Sequence, residues 1–349
     1  MYTILCIMTC RHFLKKNEWI TNVLGLREHK VRSNPLVSVE LTELRKKGIA
    51  AMITHLRLKA YGKINLALDV LGRRDNGYHD VRMIMQTVGL HDRIELYRTK
   101  EPGIRLETNL FYLPNNEQNL AYRAAALLME EFGVKEGVSI KLKKFIPVSA
   151  GMAGGSTDAA AVLVGVNRMF DLGFTKKELM ERGVKLGADV PYCIMRGTAL
   201  SEGIGEILTE LPAPPQCHLV IAKPQISVST KAVYGKLRVN ELAPEEHPDI
   251  DGMMAAIKNG DLDGVIERLG NVLETVTVPD HPEISEIKEI MVENGACGSL
   301  MSGSGPTVFG IYKDRELAEK ACQALREADG GRLTRQVYLT EFYNRKKAR

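Results

Sequence analysis

Apolar and polar residues follow a regular pattern through most of the chain, and the period of this pattern changes from segment to segment. Strand-like runs cover 56–70, 81–97 and 137–145, and in the first of them apolar and polar residues alternate. Such alternation is typical of strands that bury one of their two faces. These three runs therefore predict three strands in the first half of the chain.

Other segments show the spacing of helices. Apolar residues recur at helical spacing over 119–131, and the segment that begins at Asp158 is apolar on every side, which predicts a buried helix. Thr175 and Glu178 stand at the spacing of a capping box, in which two side chains satisfy free N–H groups at a helix start. Gly187 is the predicted end of that helix.

A proline-rich segment, 211–216, interrupts the pattern, and strands and helices alternate again beyond it. The later predicted strands are 218–223, the part of 299–312 that follows a glycine loop, and 336–342, and the later predicted helices are 249–275, 283–294 and 316–328. Strands and helices on both sides of this joint predict an α+β protein with two domains, 52–212 and 213–349.

Residues 1–51 show no sustained period. Cys6 and Cys10 lie close together, but no second pair of metal ligands follows them. The apolar stretch 1–10 has neither a basic segment before it nor a small-residue cleavage site after it, so it is not typical of a signal peptide. We expect Met52 to be the natural start, and residues 1–51 to be disordered or upstream of the true start.

The composition indicates a globular protein that acts on small molecules. Of the 349 residues, 44% are hydrophobic and 26% are charged, and 47 basic residues against 43 acidic ones give a net charge of only +4. The chain lacks the dense basic stripe typical of nucleic-acid binding, and no apolar run approaches the roughly 20 residues of a membrane helix. The six scattered cysteines favour free thiols. We expect a cytoplasmic monomer or homodimer with no nucleic-acid or membrane partner.

A run of small residues lies directly before the predicted buried helix. It reads Pro147-Val148-Ser149-Ala150-Gly151-Met152-Ala153-Gly154-Gly155-Ser156-Thr157. Small residues let the backbone approach a ligand closely, and the free N–H groups at a helix start attract anions. The run therefore predicts a phosphate-binding loop, with a tight loop imposed by packing as the structural alternative. The signatures of Walker A loops and of protein kinases are absent from the sequence.

Phosphoryl transfer also requires a base for the acceptor hydroxyl and a cation for the charge that develops. Asp189 is an acid in a tight apolar segment, and Lys63 lies in the first predicted strand. Taken singly, each residue has an ordinary structural explanation. Asp189 is typical of a helix cap or a turn, and Lys63 is typical of a solvated lysine on a strand.

Four ordered segments together resemble the GHMP kinase superfamily. They are Lys63-Ile64-Asn65, the 147–158 loop, the 187–191 segment around Asp189, and Ser302-Gly303-Ser304-Gly305-Pro306-Thr307. Two more, Asp75-Asn76-Gly77-Tyr78-His79 and 197–206, resemble the branch whose substrate is diphosphocytidyl methylerythritol. The resemblance implies a two-domain fold, with a ribosomal S5 domain 2-like N-terminal domain and a ferredoxin-like C-terminal domain.

The resemblance also implies how the reaction is carried out. Asp189 would take the proton of the substrate's 2-hydroxyl, while Lys63 would hold this base and the charge of the transition state. The 147–157 loop would wrap the phosphates of ATP, with Asn119 and Lys144 near the nucleotide. ATP chemistry implies Mg²⁺, whose ligands stay unknown because the sequence shows no acidic cluster.

For the substrate, the resemblance implies an aromatic site. Tyr78 and Tyr234 would enclose the cytosine ring, and His79 would hydrogen-bond its polar edge. Asn65 and Thr230 would help to hold the substrate. Ser156 or Thr157, at the helix start, could contact the metal ion, and the 302–307 loop would close the site from the second domain.

Three other functions fit parts of the pattern. Homoserine, mevalonate and the phosphorylated mevalonates contain no base that could stack on an aromatic ring, so Tyr78 and His79 argue against a kinase for any of them. A binding or regulatory protein without catalysis would be free to lose Lys63 or Asp189. An RNA-binding module with the same type of N-terminal fold would need a basic surface that this chain lacks.

Overall fold

The computed structural model describes residues 53–344. The predictions for the leader, including Met52 as the natural start and the Cys6 and Cys10 thiols, lie outside the described residues. From Thr54 onward the chain forms one compact unit. The described residues contain eleven strands, which form two sheets, and ten α-helices, and this content confirms the predicted α+β class.

The strands are β1 (His55–Arg73), β2 (His79–Thr99), β3 (Gly103–Thr108), β4 (Gly137–Lys143), β5 (Thr198–Gly203), β6 (Ile207–Leu211), β7 (His218–Pro224), β8 (Gly270–Asn271), β9 (Gly298–Met301), β10 (Val308–Tyr312) and β11 (Thr334–Glu341). The helices are α1 (Leu120–Glu131), α2 (Gly154–Met169), α3 (Lys176–Gly183), α4 (Val190–Met195), α5 (Thr230–Lys236), α6 (Ile250–Asn259), α7 (Leu262–Glu267), α8 (Glu274–Asp280), α9 (Glu283–Glu293) and α10 (Arg315–Glu327). None of these helices has the length and apolar character that a membrane crossing requires.

The larger sheet is built on the long antiparallel hairpin of β1 and β2. Its strand order is β3-β4-β2-β1-β8, and β5 pairs with the first part of β2 and with β6. Irregular pairing interrupts β1 between Tyr61 and Lys63 and again between Asn65 and Ala67. Because bulges redirect side chains, the consecutive residues Lys63, Ile64 and Asn65 are all buried at this point of the strand.

Helix α2 is buried on nearly all sides, as its sequence predicts, and packs against β1 and α1. It lies directly against the sheet at Gly165. A Cβ atom at this position would lie 2.4 Å from Leu96 Cδ1 and 2.6 Å from Leu58 Cδ1. The absence of a side chain at Gly165 therefore lets the helix, which begins at the phosphate loop, lie close to the sheet.

The smaller sheet has the order β11-β7-β10-β9, and all its neighbours are antiparallel. Helices α9 and α10 pack against it. The chain also returns to the larger sheet, since β8 pairs in parallel with β1 and Phe342 forms a bridge with Val88. The division into 52–212 and 213–349 stays a prediction.

Two predicted helix ends are wrong. The helix predicted over 249–275 ends at Asn259, because Gly260 adopts a left-handed conformation (φ 66°) and the Asp261 side chain then caps a new helix. Residues 270 and 271 form β8 instead. The capping box of Thr175 is confirmed, but α3 ends at Gly183 rather than at Gly187, because the following residues turn more tightly.

We expect Gly165→Ala to lower the free energy of unfolding by about 1–3 kcal/mol, because the added methyl group overpacks Leu96 and Leu58. Gly235→Ala is the matched control, since Gly235 is also helical but has open space around it. That control should be neutral or stabilising by up to about 1 kcal/mol through helix propensity. Urea unfolding of both variants measures the difference, and equal effects would contradict the packing argument.

Candidate active site

A cavity of about 1360 Å³ lies between the larger sheet, the start of α2 and loops from the second half of the chain. Most of the residues predicted for the site line it. These are Lys63, Tyr78, His79, Asn119, Lys144, Asp189, Thr230, Tyr234 and, from the phosphate loop, Pro147, Val148, Ser149, Ala150, Gly151, Ala153, Gly154, Gly155 and Ser156. The structure thus brings together residues that are far apart in the sequence, from Lys63 to Tyr234.

Three predicted residues lie behind the wall of the cavity rather than on it. Asn65 is fully buried, and its Oδ1 accepts a hydrogen bond of 2.7 Å from the Lys63 ammonium. The Thr157 hydroxyl donates to the Tyr61 carbonyl at 2.7 Å. Met152 is buried among core residues, and its carbonyl accepts the Lys63 N–H. These three residues therefore support, from the protein interior, the residues that line the cavity.

The backbone of the phosphate loop has a repeated left-handed conformation. Ser149, Gly151 and Ala153 have φ values of 50°, 71° and 54°. Alternation of this kind turns successive N–H groups toward one side, which forms an anion-binding concavity. Ala153 is also the N-cap of α2 and provides no side-chain cap, so the N–H groups of the first turn stay available to an anion.

Gly151 is the point where this loop contacts the 302–307 loop. A Cβ atom at Gly151 would lie 2.0 Å from the carbonyl oxygen of Ser302, so only glycine fits here. The Ser302 hydroxyl donates to the Gly151 carbonyl at 3.0 Å. Farther along the same loop, the hydroxyls of Ser304 and Thr230 are 2.8 Å apart. The 302–307 loop therefore connects the phosphate loop with the start of α5.

Lys63 is buried, with only 5% of its surface exposed, so the alternative of a solvated strand lysine is wrong. Asp189 lies in a turn at the N-cap position of α4, as the structural alternative predicted, but its side chain makes no capping hydrogen bond. Both charges act on Cys193. Burial and the charge of Asp189 raise the pKa of the Cys193 thiol, whereas Lys63 lowers it. The charges of Asp189 and Lys63 thus both reach this buried thiol.

Helix α4, which begins directly after Asp189, is held in place by its third residue, Tyr192. The Tyr192 hydroxyl donates to the Gly197 carbonyl at 2.7 Å and lies 3.0 Å from the Thr87 hydroxyl. Burial raises the pKa of Tyr192 well above its usual value, so this hydroxyl keeps its proton. These contacts fix the short helix, and with it the carboxylate of Asp189, against the larger sheet.

The opposite end of the cavity is aromatic. Tyr78 follows the turn at Asn76 and Gly77 and is 58% exposed, whereas the ring of His79 is buried and lies 5.2 Å from the ring of Tyr234. Burial and then the charge of Asp189 raise the pKa of Tyr234. Burial and then the nearby Arg73 lower the pKa of His79. A neutral imidazole offers one donor and one acceptor to a ligand.

Asn119 and Lys144 line the cavity but also hold the protein framework. The Asn119 side chain accepts from the N–H of Ala121 at 3.0 Å, which caps α1, and it donates to the Pro114 carbonyl. The Lys144 ammonium pairs with Asp92 and with Asp158. Burial disfavours this ammonium charge, but the two carboxylates outweigh burial and raise the pKa of Lys144.

Among the polar residues that line the cavity, the sequence analysis singled out neither Arg73 nor Lys231. Neither Arg73 nor Lys231 forms an ion pair with any residue between 53 and 344. Lys231 could have been found from its neighbour, because it directly follows the predicted Thr230. Arg73 has no such signal, since it reaches the cavity only through the β1–β2 hairpin.

Comparison with known proteins identifies the family of this arrangement. Residues 119–197 match the family described as GHMP kinases N terminal domain, and residues 253–330 match GHMP kinases C terminal. The chain is 56% identical over 288 residues to the 4-diphosphocytidyl-2-C-methyl-D-erythritol kinase of Lachnospira eligens, a match that covers 82% of this chain and 98% of that protein. The predicted resemblance is thereby confirmed.

Solved structures give the same result. A crystal structure of 4-(cytidine 5'-diphospho)-2C-methyl-D-erythritol kinase matches with a TM-score of 0.70 and 31% identity, covering 83% of this chain and 100% of that one. The homoserine kinase of Cytophaga hutchinsonii matches with a TM-score of 0.69 over 84% of this chain and 96% of its own. At 19% identity, that second likeness shows a shared fold only.

We expect His79 to titrate below pH 6.5, its ordinary value, because burial and Arg73 disfavour the protonated ring. A folded protein with a lowered histidine pKa binds fewer protons than the unfolded chain, so it loses stability as the pH falls through that range and keeps it above pH 6.5. NMR titration of the His79 ring measures its pKa. Urea unfolding of the unsubstituted protein and of His79→Gln, each above and below pH 6.5, isolates the contribution of His79 to stability. A midpoint at or above pH 6.5 would contradict this interpretation.

Proposed function

The chain belongs to the 4-diphosphocytidyl-2-C-methyl-D-erythritol kinase family within the GHMP kinases, and from this premise we propose the reaction that it catalyses. The protein transfers the γ-phosphoryl group of ATP to the 2-hydroxyl of 4-diphosphocytidyl-2-C-methyl-D-erythritol. The products are the 2-phosphate and ADP. This step belongs to the non-mevalonate route of isoprenoid biosynthesis.

One observation carries the proposal beyond the family name. A single cavity joins the phosphate loop to Lys63 and Asp189 and continues to the aromatic end at Tyr78 and Tyr234. A nucleotide and a second, base-bearing substrate can therefore lie end to end, with their reacting groups next to the acid and the lysine. A kinase for a small alcohol without a base would have no use for the aromatic end.

In this arrangement Asp189 acts as the base. Its carboxylate accepts no hydrogen bond from residues 53–344, so it is available to the proton of the acceptor hydroxyl. The proton leaves as the oxygen attacks the γ-phosphorus, and proton transfer of this kind contributes a factor of about 10²–10⁴ to the rate.

Lys63 supplies positive charge near the transferred group. Its ammonium is held by the neutral Asn65 side chain at 2.7 Å, and it forms no ion pair within the described part of the chain. The charge is therefore not cancelled by a protein carboxylate. It is free to stabilise both the ionised base and the charge that develops on the phosphoryl oxygens.

The phosphate loop binds the nucleotide. The left-handed residues Ser149, Gly151 and Ala153 direct backbone N–H groups to one side, and the N-terminus of α2 adds the positive end of the helix dipole. Backbone groups of this kind bind phosphate without the Lys of a Walker A loop. This accounts for phosphate binding in a sequence that lacks that motif.

The aromatic end binds the cytidine part of the second substrate. Tyr78 and Tyr234 offer π-faces to the cytosine ring, and the neutral His79 can pair with the donor–acceptor edge of that ring. Arg73 and Lys231 line the same cavity and can balance the charge of the diphosphate. Thr230 and Ser304, which are 2.8 Å apart, provide hydroxyls for the sugar alcohol.

Mg²⁺ is the expected metal ion, and Ser156 is the residue that fits it. The Ser156 side chain lines the cavity at the start of α2, whereas the Thr157 hydroxyl is engaged with Tyr61. No cluster of three or more acidic, histidine or cysteine side chains suited to a metal occurs in residues 53–344. Mg²⁺ in nucleotide sites takes much of its coordination from phosphate oxygens and water, and a Ser or Thr hydroxyl is one of its protein ligands in P-loop proteins. When bound, Mg²⁺ neutralises charge on the phosphates.

The protein is further proposed to act in the cytoplasm as a monomer or homodimer. Its four described cysteines are free thiols, as expected in a reducing compartment. Its substrates under this proposal, ATP and a nucleotide-linked alcohol, are also cytoplasmic metabolites.

An ADP-release assay with ATP and Mg²⁺ tests the reaction directly. The diphosphocytidyl substrate is compared with homoserine and mevalonate, and turnover is expected with the cytidine compound alone. Turnover with another alcohol would support kinase activity but contradict the proposed substrate. Absence of turnover with all three, in a folded protein that binds ATP, would favour the alternative of a binding protein.

We expect Asp189→Asn to lower kcat by about 10²–10⁴-fold while substrate binding is largely retained, because the amide keeps the shape of the side chain and removes the base. Asp314→Asn is the matched control. Asp314 is also an N-cap residue but starts α10, away from the cavity, and asparagine caps equally well. Steady-state kinetics measure both variants, and a near-normal kcat for Asp189→Asn would reject its role.

We expect Tyr78→Ala to weaken binding of the cytidine substrate by about 1–3 kcal/mol through loss of stacking, with the KM for ATP unchanged. Tyr112→Ala is a suitable control, because Tyr112 has nearly the same exposure, 59% against 58%, and does not line the cavity. Tyr78→Phe should bind almost normally. An equal rise in the KM for ATP would place Tyr78 at the nucleotide instead.

A further inference from the structure

A cluster of three buried charges lies beneath the phosphate loop. Asp92 is on β2, Lys144 directly follows β4, and Asp158 is in the first part of α2, and all three side chains are almost inaccessible to solvent. We propose that Asp92 is a positioning residue for the nucleotide, which acts through Lys144 to hold both ends of the phosphate loop. The proposal rests on the proposed function only in that the ligand of the loop is a nucleotide.

Asp92 fixes the start of the loop. Its Oδ1 accepts the backbone N–H groups of Phe145 and Ile146 at 2.5 Å and 2.8 Å, and its Oδ2 accepts from the Lys144 ammonium. One fully buried carboxylate therefore holds three consecutive residues, and the next residue along the chain is Pro147, where the phosphate loop begins. The Asp92 carboxylate is too deeply buried to contact a ligand itself.

Lys144 extends this connection to the end of the loop. Its ammonium donates to Asp158 Oδ2 at 2.7 Å. It also lies beneath the first turn of α2, since a Cβ atom at Gly154 would be 3.2 Å from Lys144 Nζ. The residues before the loop and those after it are thus joined through one ammonium group.

The loop needs such support because its own conformation is unfavourable. Ser149 and Ala153 have positive φ values without being glycine. Backbone strain of this kind costs energy and persists only where the surroundings enforce it. Fixed ends restrict the intervening residues, so the anchors at Asp92 and Asp158 keep the N–H groups in the orientation that binds phosphate.

The charges of the cluster fit a positioning role better than a purely stabilising one. Two carboxylates share one ammonium, and Asp158 Oδ1 is buried without a hydrogen-bond partner. Burial raises the pKa of Asp158, which reflects the cost of keeping this carboxylate charged. A buried ion pair contributes little net stability, and its best-attested role is to specify one conformation.

The test compares Asp92→Asn, Asp158→Asn and the double variant. In Asp92→Asn the amide oxygen can still accept the backbone N–H groups, but an NH₂ group then faces the Lys144 ammonium. We expect the Kd for ADP and the KM for ATP to rise by about 10- to 100-fold, as small displacements of binding groups produce. The KM for the cytidine substrate should change by less than about twofold, because the aromatic end is not connected to the cluster.

The double variant distinguishes positioning from general damage. Both aspartates act through Lys144, so the rise in Kd of the double variant should be smaller than the product of the two single effects. Asp69→Asn is the matched control, because Asp69 is also a buried carboxylate on the larger sheet but pairs with His247. It should lower the melting temperature without a selective effect on ADP.

Two results would overturn the proposal. One is an unchanged Kd for ADP in folded Asp92→Asn. The other is a rise in both substrate KM values in proportion to lost stability, as in the Asp69 control. If Asp92→Asn does not fold, Asp158→Asn alone must show the selective effect on ADP. Calorimetric binding of ADP needs no turnover, so failure of the proposed reaction would remain distinguishable from failure of this inference.

Discussion

The close contact between Gly151 and Ser302 is the constraint on which the site depends. The Ser302 carbonyl occupies the space where any other residue at 151 would place its Cβ atom, and the Ser302 hydroxyl bonds to the Gly151 carbonyl. The wall of the cavity is therefore made jointly by the two halves of the chain. Strand β8 and the bridge from Phe342 to Val88 bring the second half onto the larger sheet, so this contact is fixed by the sheets rather than by the loops alone.

The two buried lysines of the site differ in what surrounds them, and this difference separates their roles. Lys144 is neutralised by Asp92 and Asp158, so its charge serves the framework. Lys63 is held by the neutral Asn65, and no carboxylate within residues 53–344 pairs with it. Burial of a charge is costly unless it is compensated. The positive charge of Lys63 is consequently the one that an anionic ligand can compensate.

Local signals in the sequence were sufficient for much of the fold. The strand at 81–97, the capping box of Thr175 and the buried helix after the phosphate loop depend on periodicity and on interactions between near neighbours, and the structure contains all of them. The short strand β8 and the contact between Gly151 and Ser302 could not be predicted in this way, because both depend on residues far apart in the chain. The break at Gly260 was missed for a different reason, since apolar spacing continues on both sides of it.

The candidate site was less accessible to this reasoning than the fold. The density of small residues indicated a phosphate loop, but the left-handed conformations of Ser149 and Ala153 have no signature in residue type. Lys63 and Asp189 gained their roles only from the resemblance, because single residues on a strand or at a helix start have ordinary structural explanations. Thr157 shows the opposite limit, since it belongs to the predicted loop in sequence but its hydroxyl donates to the Tyr61 carbonyl.

A structure described as a homoserine kinase shares this fold, so the fold alone does not determine which alcohol accepts the phosphoryl group. Under the proposed function, this choice is assigned to side chains at the end of the cavity away from the phosphate loop. Tyr78 is the clearest of these, because it is largely exposed on a polar turn and contributes little to any core. An exposed aromatic ring at the wall of a cavity has little reason to be there from packing alone, and a planar base is the ligand whose binding would bury it.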